Sequence, residues 1–204
     1  MVSSTGGAGR VIAGSARGIR LVAPGQGTRP LGDRAKQTCF AILEPDLPGA
    51  AFLDLFAGSG AAGIEALSRG AARAVFVERD RAALRAIDDN LRRTRLAGER
   101  ALVIRADAPG WLAADGPAAG PFDIAFVDPP YDDPASLDAA LRRLGDPDVV
   151  GRLLAPGGRV VAKHARQVVP RPTVGLLASE RERGFGATVL TFYRVAPPPG
   201  QEDR

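Results

Sequence analysis

The sequence has one cysteine, one histidine and one tryptophan among its 204 positions, and so is poor in two of the residue types that hold metals and disulfides. The single Cys39 excludes an internal disulfide and a cysteine-based zinc site, and the single His164 argues against a histidine-rich metal centre. Long apolar runs are missing as well, since no stretch approaches the 18 residues of a membrane span. We therefore expect a cytoplasmic monomer without a metal or a membrane partner.

Basic residues, by contrast, are concentrated at the start of the chain. Residues 1–40 hold six basic residues and one acidic residue, whereas the rest of the chain holds 21 basic and 22 acidic residues. A basic arm on a nearly neutral body indicates contacts with phosphates, although a solvated N-terminus has the same composition. The candidate phosphate-binding residues are Arg10, Arg17, Arg29, Arg34 and Lys36.

The chain length corresponds to one domain with a small extension. Residues 1–9 and 197–204 are small, polar or proline-rich, and we expect them to be disordered tails. Residues 10–30 contain two short strand-like stretches around a turn, which predicts a small β-hairpin extension. Residues 31–196 then form the main domain.

The main domain alternates strands and helices after its first helix. That helix is expected to run from an Asp33 N-cap to about Leu43, with Cys39 packed inward and Lys36 on another face. Apolar strands that alternate with helices are typical of a parallel sheet in an α/β fold, and two final consecutive strands predict an antiparallel hairpin. The expected strands lie near residues 51–55, 73–78, 101–105, 122–127, 158–163, 173–178 and 187–195, and the helices near 60–69, 80–96, 107–114 and 135–144.

A glycine-rich loop follows the first apolar strand. Gly58 to Gly63 matches the pattern G-x-G-x-x-G, precedes a helix, and is followed by the acidic Glu78 at the end of the next strand. Glycines let a ligand approach the backbone closely, and such an acid accepts hydrogen bonds from two ribose hydroxyls. The loop therefore predicts an adenosine-containing cofactor, without saying which one.

Two aspartates narrow the choice of cofactor. Asp54 lies inside the first strand, where a carboxylate would repel a pyrophosphate but would favour the ammonium and sulfonium groups of S-adenosylmethionine. Asp107, just after the third strand, is placed to accept a hydrogen bond from the adenine amino group. The alternatives are that Asp54 accepts a structural hydrogen bond and that Asp107 caps a helix.

The stretch Asp128-Pro-Pro-Tyr131 ends another apolar strand and is the more specific signal. Prolines stiffen the backbone and lack N–H donors, so the Asp128 carboxylate and the Pro129 carbonyl present two acceptors at a fixed separation. An exocyclic amine offers two matching donors, and the Tyr131 ring offers a stacking surface for a base. Because ligands of open α/β sheets bind beyond the carboxyl ends of the strands, we expect Asp128 and Gly58 to face one crevice.

These motifs resemble the class I S-adenosylmethionine-dependent amino-methyltransferases. With the N-terminal residues included, the chain is more closely similar to the bacterial 16S ribosomal RNA guanine-N2 methyltransferases of the small subunit, from about residue 10 to about residue 195. The matching residues are Arg10-Val-Ile-Ala-Gly, Arg17-Gly, Arg29-Pro, Asp33-Arg34, Phe40, Leu53-Asp-Leu-Phe-Ala-Gly-Ser-Gly60, Glu65-Ala-Leu-Ser-Arg69, Glu78, Asn90-Leu91, Asp107 and Phe126-Val-Asp-Pro-Pro-Tyr131.

The resemblance implies a Rossmann-like class I methyltransferase fold with a mostly parallel seven-stranded sheet. It also implies methyl transfer from S-adenosylmethionine to N2 of one guanine in 16S ribosomal RNA, within the 30S subunit or a late precursor. Such a guanine must be turned out of its stack, while the basic arm holds backbone phosphates. One position departs from the family, because Leu31 stands where a hydroxyl residue is usual.

The resemblance and the motifs together give the candidate site residues. The catalytic candidates are Asp128, Pro129, Pro130 and Tyr131. The cofactor-binding candidates are Asp54, Phe56, Gly58, Ser59, Gly60, Glu78, Arg79, Asp107, Ala108 and Asp128. The RNA-binding candidates are Arg10, Arg17, Arg29, Arg34 and Lys36.

Three other interpretations stay open. The same Asp-Pro-Pro-Tyr loop serves DNA adenine or cytosine methylation and protein glutamine methylation, although this chain has no inserted DNA-recognition domain. The G-x-G-x-x-G pattern also fits an NAD-dependent oxidoreductase, which Asp54 and the lack of a convincing hydride-transfer site disfavour. A non-catalytic RNA-binding assembly factor with the same fold is the third, and the intact Asp128 loop argues against it.

Overall fold

A computed structural model describes residues 8–25, 31–114 and 116–196. Arg29 and most of both predicted tails therefore lie outside the described residues. The chain divides into two compact units, Met1–Asp107 and Ala108–Arg204. Within the described ranges, no helix is long and apolar enough to cross a membrane, and no group of histidine, cysteine and acidic side chains is arranged to hold a metal ion.

The first unit is built on three parallel strands with helices between them. The strands are ordered β3-β2-β1, and β1 and β2 are largely buried along their length, as apolar strands in a parallel sheet should be. The strands are β1 (Ala51–Leu55), β2 (Arg73–Glu78) and β3 (Ala101–Arg105); the helices are α1 (Asp33–Leu43), α2 (Ala61–Ser68) and α3 (Arg81–Thr94), and a 3-10 helix follows α1 (Glu44–Asp46). These bounds agree with the predicted ones to within two residues.

The start of α1 differs from the prediction in two ways. The N-cap residue is Gly32, which makes no side-chain capping bond, and Asp33 is the first helical residue. The Asp33 carboxylate instead accepts a hydrogen bond from Nε of Arg10 at 3.0 Å. Lys36, predicted to lie on a different face from the packed Cys39 and to bind RNA, is fully buried. Both predictions were wrong because the N-terminal segment packs against this part of the helix.

The N-terminal extension is a short, irregular hairpin. One antiparallel bridge joins Arg10 to Arg20, and the Ala8 N–H donates to the carbonyl of Leu21. The turn lies against α2, because a Cβ on Gly14 would lie 1.8 Å from the backbone oxygen of Ser68. Glycine at this position is therefore required by the close approach of two backbones.

The second unit combines one parallel strand pair with an antiparallel end. The strand order is β4-β5-β8-β7-β6; β4 and β5 are parallel, and the remaining pairs are antiparallel. The strands are β4 (Phe122–Val127), β5 (Leu154–Ala165), β6 (Thr173–Val174), β7 (Leu177–Phe185) and β8 (Thr188–Val195); the helices are α4 (Ala108–Ala114), α5 (Gly116–Ala119) and α6 (Pro134–Leu144).

The described residues thus contain eight strands where seven were predicted. The stretch 173–178, predicted as one strand, is interrupted by Gly175, whose φ is 57° and whose Cα faces the backbone of Gly145. Residues 181–184, predicted to connect the last two strands, lie inside β7. Their charges misled the prediction, because an edge strand tolerates charged side chains along most of its length.

The single cysteine, histidine and tryptophan are packed side chains. Cys39 is fully buried and burial raises the pKa of its thiol, which confirms a packing role. His164 is buried, with Nε2 2.8 Å from Oγ1 of Thr191. Trp111 is also buried.

Candidate functional site

The loop after β1 has an unusual backbone. Phe56 has a φ of 58°, and Gly58 and Gly60 have φ values of 56° and 74°. A left-handed conformation costs a bulky residue roughly 1–3 kcal/mol, and such strain clusters at ligand-binding sites. The loop is held in place by a hydrogen bond from the Ala57 N–H to the carbonyl of Val77, at 3.1 Å. The predicted cofactor loop is thus a strained, fixed turn.

Asp54 of β1 is hydrogen-bonded to the start of the helix that follows this loop. Its carboxylate is buried and accepts a hydrogen bond from the Gly63 N–H at 2.8 Å, in the first turn of α2. Gly63 itself lies so close to β2 that an added Cβ would be 2.3 Å from Cε1 of Phe76. Asp54 therefore accepts a structural hydrogen bond, as one of the two interpretations held. Its role towards a cationic cofactor stays a prediction.

Glu78 ties the end of β2 to the same loop. One carboxylate oxygen accepts from the Gly58 N–H at 2.8 Å, and the other accepts from the N–H groups of Arg79 and Asp80, both at 2.8 Å. A carboxylate has about four accepting positions and three are occupied, so Glu78 retains about one for a ribose hydroxyl. Its position beside Gly58 agrees with the predicted role.

Asp107 and Arg79 lie together at the end of the first unit. Nη1 of Arg79 is 3.2 Å from Oδ1 of Asp107, and both side chains are more than half exposed. An exposed pair of this kind is weak, so the Asp107 carboxylate remains accessible to a ligand amine. Ala108, the next residue, is buried in the second unit.

In the second unit, Asp128 is paired with a lysine that was not among the predicted site residues. Nζ of Lys163 lies 2.6 Å and 2.8 Å from the two Asp128 carboxylate oxygens. Burial raises the pKa of Asp128, and the charge of Lys163 opposes that rise. The sequence feature that could have identified Lys163 is a single basic residue directly after the apolar run Val160-Val-Ala162, in the strand beside β4.

Tyr131 completes this cluster. Its hydroxyl is 2.5 Å from Oγ1 of Thr188, and its ring centroid is 5.1 Å from Nζ of Lys163. The carbonyl of Pro130 accepts from the Asp133 N–H and closes a turn, whereas no donor in the described part of the chain bonds to the carbonyl of Pro129. The Pro129 carbonyl is thus available as an acceptor, and its pairing with the Asp128 carboxylate towards an amine stays a prediction.

The predicted RNA-binding residues divide into two groups. Arg10, Arg17 and Arg34 are exposed. Lys36 donates from Nζ to the carbonyl of Arg10 at 2.5 Å and lies 3.7 Å from the buried Glu65 carboxylate. Burial lowers the pKa of Lys36. Lys36 is thus an internal support of the N-terminal arm, and its assignment to RNA was wrong.

Asn90 connects the arm to the cofactor loop. This buried α3 side chain accepts from the Val22 N–H at 2.7 Å and donates to the carbonyls of Val22 and Ser59, each at 2.9 Å. Asn90 was noticed only as part of the family resemblance. The sequence feature that could have identified it is an amide residue directly before the apolar Leu91 of the predicted helix. An amide that is buried with such a residue requires hydrogen-bond partners.

Known proteins share this architecture and much of the sequence. A family model described as "Conserved hypothetical protein 95" matches residues 9–194. The putative rRNA methyltransferase YlbH of Bacillus subtilis is 39% identical over 186 residues, which are 91% of this chain and 98% of YlbH. Ribosomal RNA small subunit methyltransferase D of Escherichia coli K12 is 44% identical over 123 residues, 60% of either chain.

Solved structures extend the likeness to three dimensions. The putative methyltransferase yhhF from Escherichia coli has a TM-score of 0.77 and 34% identity, over 93% of this chain and 98% of its own. An RNA methyltransferase from Salinibacter ruber in complex with S-adenosyl-L-homocysteine has a TM-score of 0.57 over 86% of this chain and all of its own; at 16% identity it shows the fold alone. The predicted Rossmann-like methyltransferase fold is confirmed. The chain therefore belongs to the family of conserved hypothetical protein 95, the small-subunit ribosomal RNA methyltransferase D family.

Proposed function

We propose that this S-adenosylmethionine-dependent rRNA methyltransferase acts on the exocyclic N2 of a guanine in 16S ribosomal RNA. The observation that carries the proposal is the Asp128 carboxylate, held by Lys163 at 2.6 Å and 2.8 Å beside the Tyr131 ring. The relatives named as small-subunit rRNA methyltransferases support the substrate class. The match covers about 60% of the Escherichia coli relative, so that relative's substrate is extended to this chain only as a proposal.

The first unit has the features that suit the cofactor. The strained backbone from Phe56 to Gly60 suits close contact with the ligand, Glu78 suits the ribose hydroxyls, and Asp107 suits the adenine amino group. Ser59, Arg79 and Ala108 flank these groups along the chain. S-adenosylmethionine supplies a methyl group on a sulfonium cation, so a nitrogen–carbon bond forms as a sulfur–carbon bond breaks, and one proton leaves the nitrogen.

The Asp128 loop suits the amine. The lone pair of a guanine N2 is delocalised into the base, which makes the nitrogen a poor nucleophile. Hydrogen bonds from its two N–H groups to the Asp128 carboxylate and the Pro129 carbonyl favour a more tetrahedral nitrogen with an available lone pair. The rigid Pro129-Pro130 segment sets the separation of the acceptors, and Tyr131 stacks on the base. Positioning and fixed charges of this kind are the main sources of rate.

The exposed arginines of the arm suit the RNA backbone. Arg10, Arg17 and Arg34 would hold phosphates while the guanine is turned out of its stack; Arg29, outside the described residues, is proposed on sequence alone. We place the substrate in the 30S subunit or a late precursor, and the enzyme in the cytoplasm as a monomer. Residues 10–30 act as an RNA-binding extension of the methyltransferase domain, 31–196.

The test is transfer of a labelled methyl group to 30S particles that lack the modification. The wild type should label a guanine N2, and Asp128→Asn should lose at least about 100-fold in rate while it still binds the cofactor. Asp132→Asn, an exposed acid in the same loop, is the matched control and should retain activity. An absence of transfer to 30S particles, naked 16S RNA and DNA alike would contradict the proposal and favour protein methylation or a non-catalytic role.

A further inference from the structure

Strand β7 carries its charges sorted by face. Residues paired across antiparallel strands place their side chains on the same face of the sheet. Arg183 pairs with Leu190 of β8, which pairs in turn with Lys163 of β5. Arg181 is two residues from Arg183 and shares its face, because side chains alternate along a strand. Both arginines therefore lie on the face of the sheet that presents Lys163.

The acidic residues of β7 have other partners. Glu182 pairs in register with Thr191, whose hydroxyl donates to its carboxylate at 3.3 Å on the opposite face. Glu180 accepts from Nε of Arg194 at 2.6 Å. Within the part of the chain that the structure describes, no carboxylate pairs with the guanidinium of Arg181 or Arg183, and both residues are exposed.

Protection of a sheet edge does not by itself account for this arrangement. Strand β6 pairs with β7 only at Leu177 and Ala178, so the rest of β7 has no strand neighbour on that side among the described residues. Charges of either sign on either face would discourage edge-to-edge pairing. The sorting of arginines to one face and Glu182 to the other is an additional feature.

The arginine face lies close to the reacting group. Neighbouring strands are about 4.8 Å apart, so β7 and β5 are separated by roughly 10 Å. Thr188 of β8 pairs with Phe185 of β7, and its Oγ1 is 2.5 Å from the Tyr131 hydroxyl. A base stacked on Tyr131 would therefore have its flanking phosphates within the range of long side chains on β7.

We propose that Arg181 and Arg183 bind the RNA phosphates that flank the reacting guanine. These arginines belong to a different segment of the chain from the N-terminal arm, and the inference rests on the proposed function because it takes a base at Asp128 as its reference. Arg183 donates from Nη1 to the backbone carbonyl of Glu182 at 2.8 Å. Two guanidinium groups on one face that have no carboxylate partner among the described residues complement the regular charge of an RNA backbone. Base identity would still be read at Asp128 and Pro129, since phosphate contacts position a strand without specifying its sequence.

The experiment measures the dissociation constant for a 16S RNA fragment as a function of salt. The double variant Arg181→Ala/Arg183→Ala should bind the fragment roughly tenfold more weakly near 0.1 M salt. The slope of the logarithm of its binding constant against the logarithm of the salt concentration should fall in magnitude by about 1.4, which corresponds to two lost contacts with single-stranded phosphates. Arg181→Lys/Arg183→Lys should keep most of the slope, because lysine retains the charge. Arg142→Ala on α6, an exposed arginine paired with Asp138, is the control and should match the wild type.

Unchanged affinity and slope in the double alanine variant would overturn the inference and leave the surface to another partner, such as an acidic protein. Cofactor affinity and melting temperature should equal those of the wild type, which separates lost contacts from misfolding. The binding measurement needs no methyl transfer. A wild type that binds RNA without methylating guanine contradicts the proposed function, whereas an unchanged slope in an active enzyme contradicts this inference alone.

Discussion

Lys163 and Asp128 form a bidentate ion pair, with Nζ at 2.6 Å from one carboxylate oxygen and 2.8 Å from the other. The side chain of Asp128 is 22% exposed and that of Lys163 is 4% exposed. The two residues meet because Val127 of β4 pairs in parallel with Ala162 of β5, so the residues that follow them are neighbours. Lys163 thereby favours the ionised carboxylate against the effect of burial.

Replacing Lys163 with Met should move the acid limb of the pH–rate profile to higher pH. Burial raises the pKa of Asp128 and Lys163 lowers it, so the variant's pKa rises further. A protonated Asp128 accepts the guanine amine poorly, and the rate falls at pH values where the wild type is still active. The measurement is the rate of methyl transfer against pH, at saturating substrates.

The same variant should lose about 3 kcal/mol or less of unfolding free energy near neutral pH, since one partner of a partly buried pair is removed. With the folded pKa of Asp128 above its unfolded value, the folded state binds more protons between the two values. Stability then falls as pH rises through that window. Lys163→Arg, which keeps the charge, should move the acid limb less, and an unshifted limb in Lys163→Met would contradict this role.

Asp54→Asn and Asp54→Ala should separate the two roles of this residue. Asparagine retains an oxygen that accepts from the Gly63 N–H, whereas alanine leaves that buried donor without its carboxylate partner, at a cost of about 1–3 kcal/mol. If the charge favours the cationic cofactor, both variants bind S-adenosylmethionine more weakly. Calorimetry measures the affinity for the cofactor, and denaturant unfolding measures the free energy of unfolding. An Asp54→Asn protein with wild-type cofactor affinity would show that Asp54 has only the structural role.

Gly63→Ala should destabilise the first unit by roughly 1–3 kcal/mol, because the new methyl group would overlap the Phe76 ring. Phe76→Leu in the same chain should recover part of that loss, which a double-mutant cycle of unfolding free energies would show. Purely additive effects would mean that another contact restricts this glycine. Gly32→Ala, with open space around it, is the control and should cost only the replacement of a glycine N-cap, about 1 kcal/mol or less.

Asn90→Ala should weaken both the arm and the cofactor loop. The side chain bonds to Val22 and to the carbonyl of Ser59, so its loss removes three hydrogen bonds, each worth about 1 kcal/mol. We expect faster amide exchange at Val22 and a lower affinity for S-adenosylmethionine. Exchange that accelerates at Val22 without any change in cofactor affinity would show that the arm and the loop are independent.

Lys36→Met and Arg34→Ala should differ in RNA binding. Lys36 is buried against the carbonyl of Arg10, so its replacement should lower stability and leave the salt slope of RNA binding unchanged. Arg34 is exposed, and its removal should lower the slope by about 0.7–0.9. A reduced slope in a folded Lys36→Met protein would restore the original assignment of Lys36 to RNA.

The elements and the two ligand loops could be predicted because their signals are local. Apolar runs bounded by turn residues predicted β1 to β5, and the spacing of Gly58, Gly60 and Gly63 predicted a turn between a strand and a helix. Proline chemistry in the Asp128 loop needed no knowledge of distant residues. The expectation that this loop and Gly58 face one crevice stays a prediction.

The misplaced residues depend on segments that are distant in the chain. Lys36 looked exposed on an isolated helix, and only the packing of the N-terminal arm, whose Ile12 N–H donates to Glu65 53 residues away, encloses it. Residues 173–178 were misjudged because the strand is interrupted at Gly175, where the backbone of Gly145 approaches. Residues 181–184 were misjudged because an edge strand and a charged loop can have similar compositions.

The sequence by itself determined the fold class, the strand–loop–helix cofactor motif and the stiff acceptor loop, since backbone preferences and turn chemistry act within a few residues. The tertiary structure decided which side chains surround those loops. The lysine that faces Asp128, the amide that joins Val22 to Ser59 and the face occupied by the β7 arginines all follow from strand register and packing. Each of these contacts joins segments that are distant in the sequence. The local preferences of single residues do not specify how such segments pair.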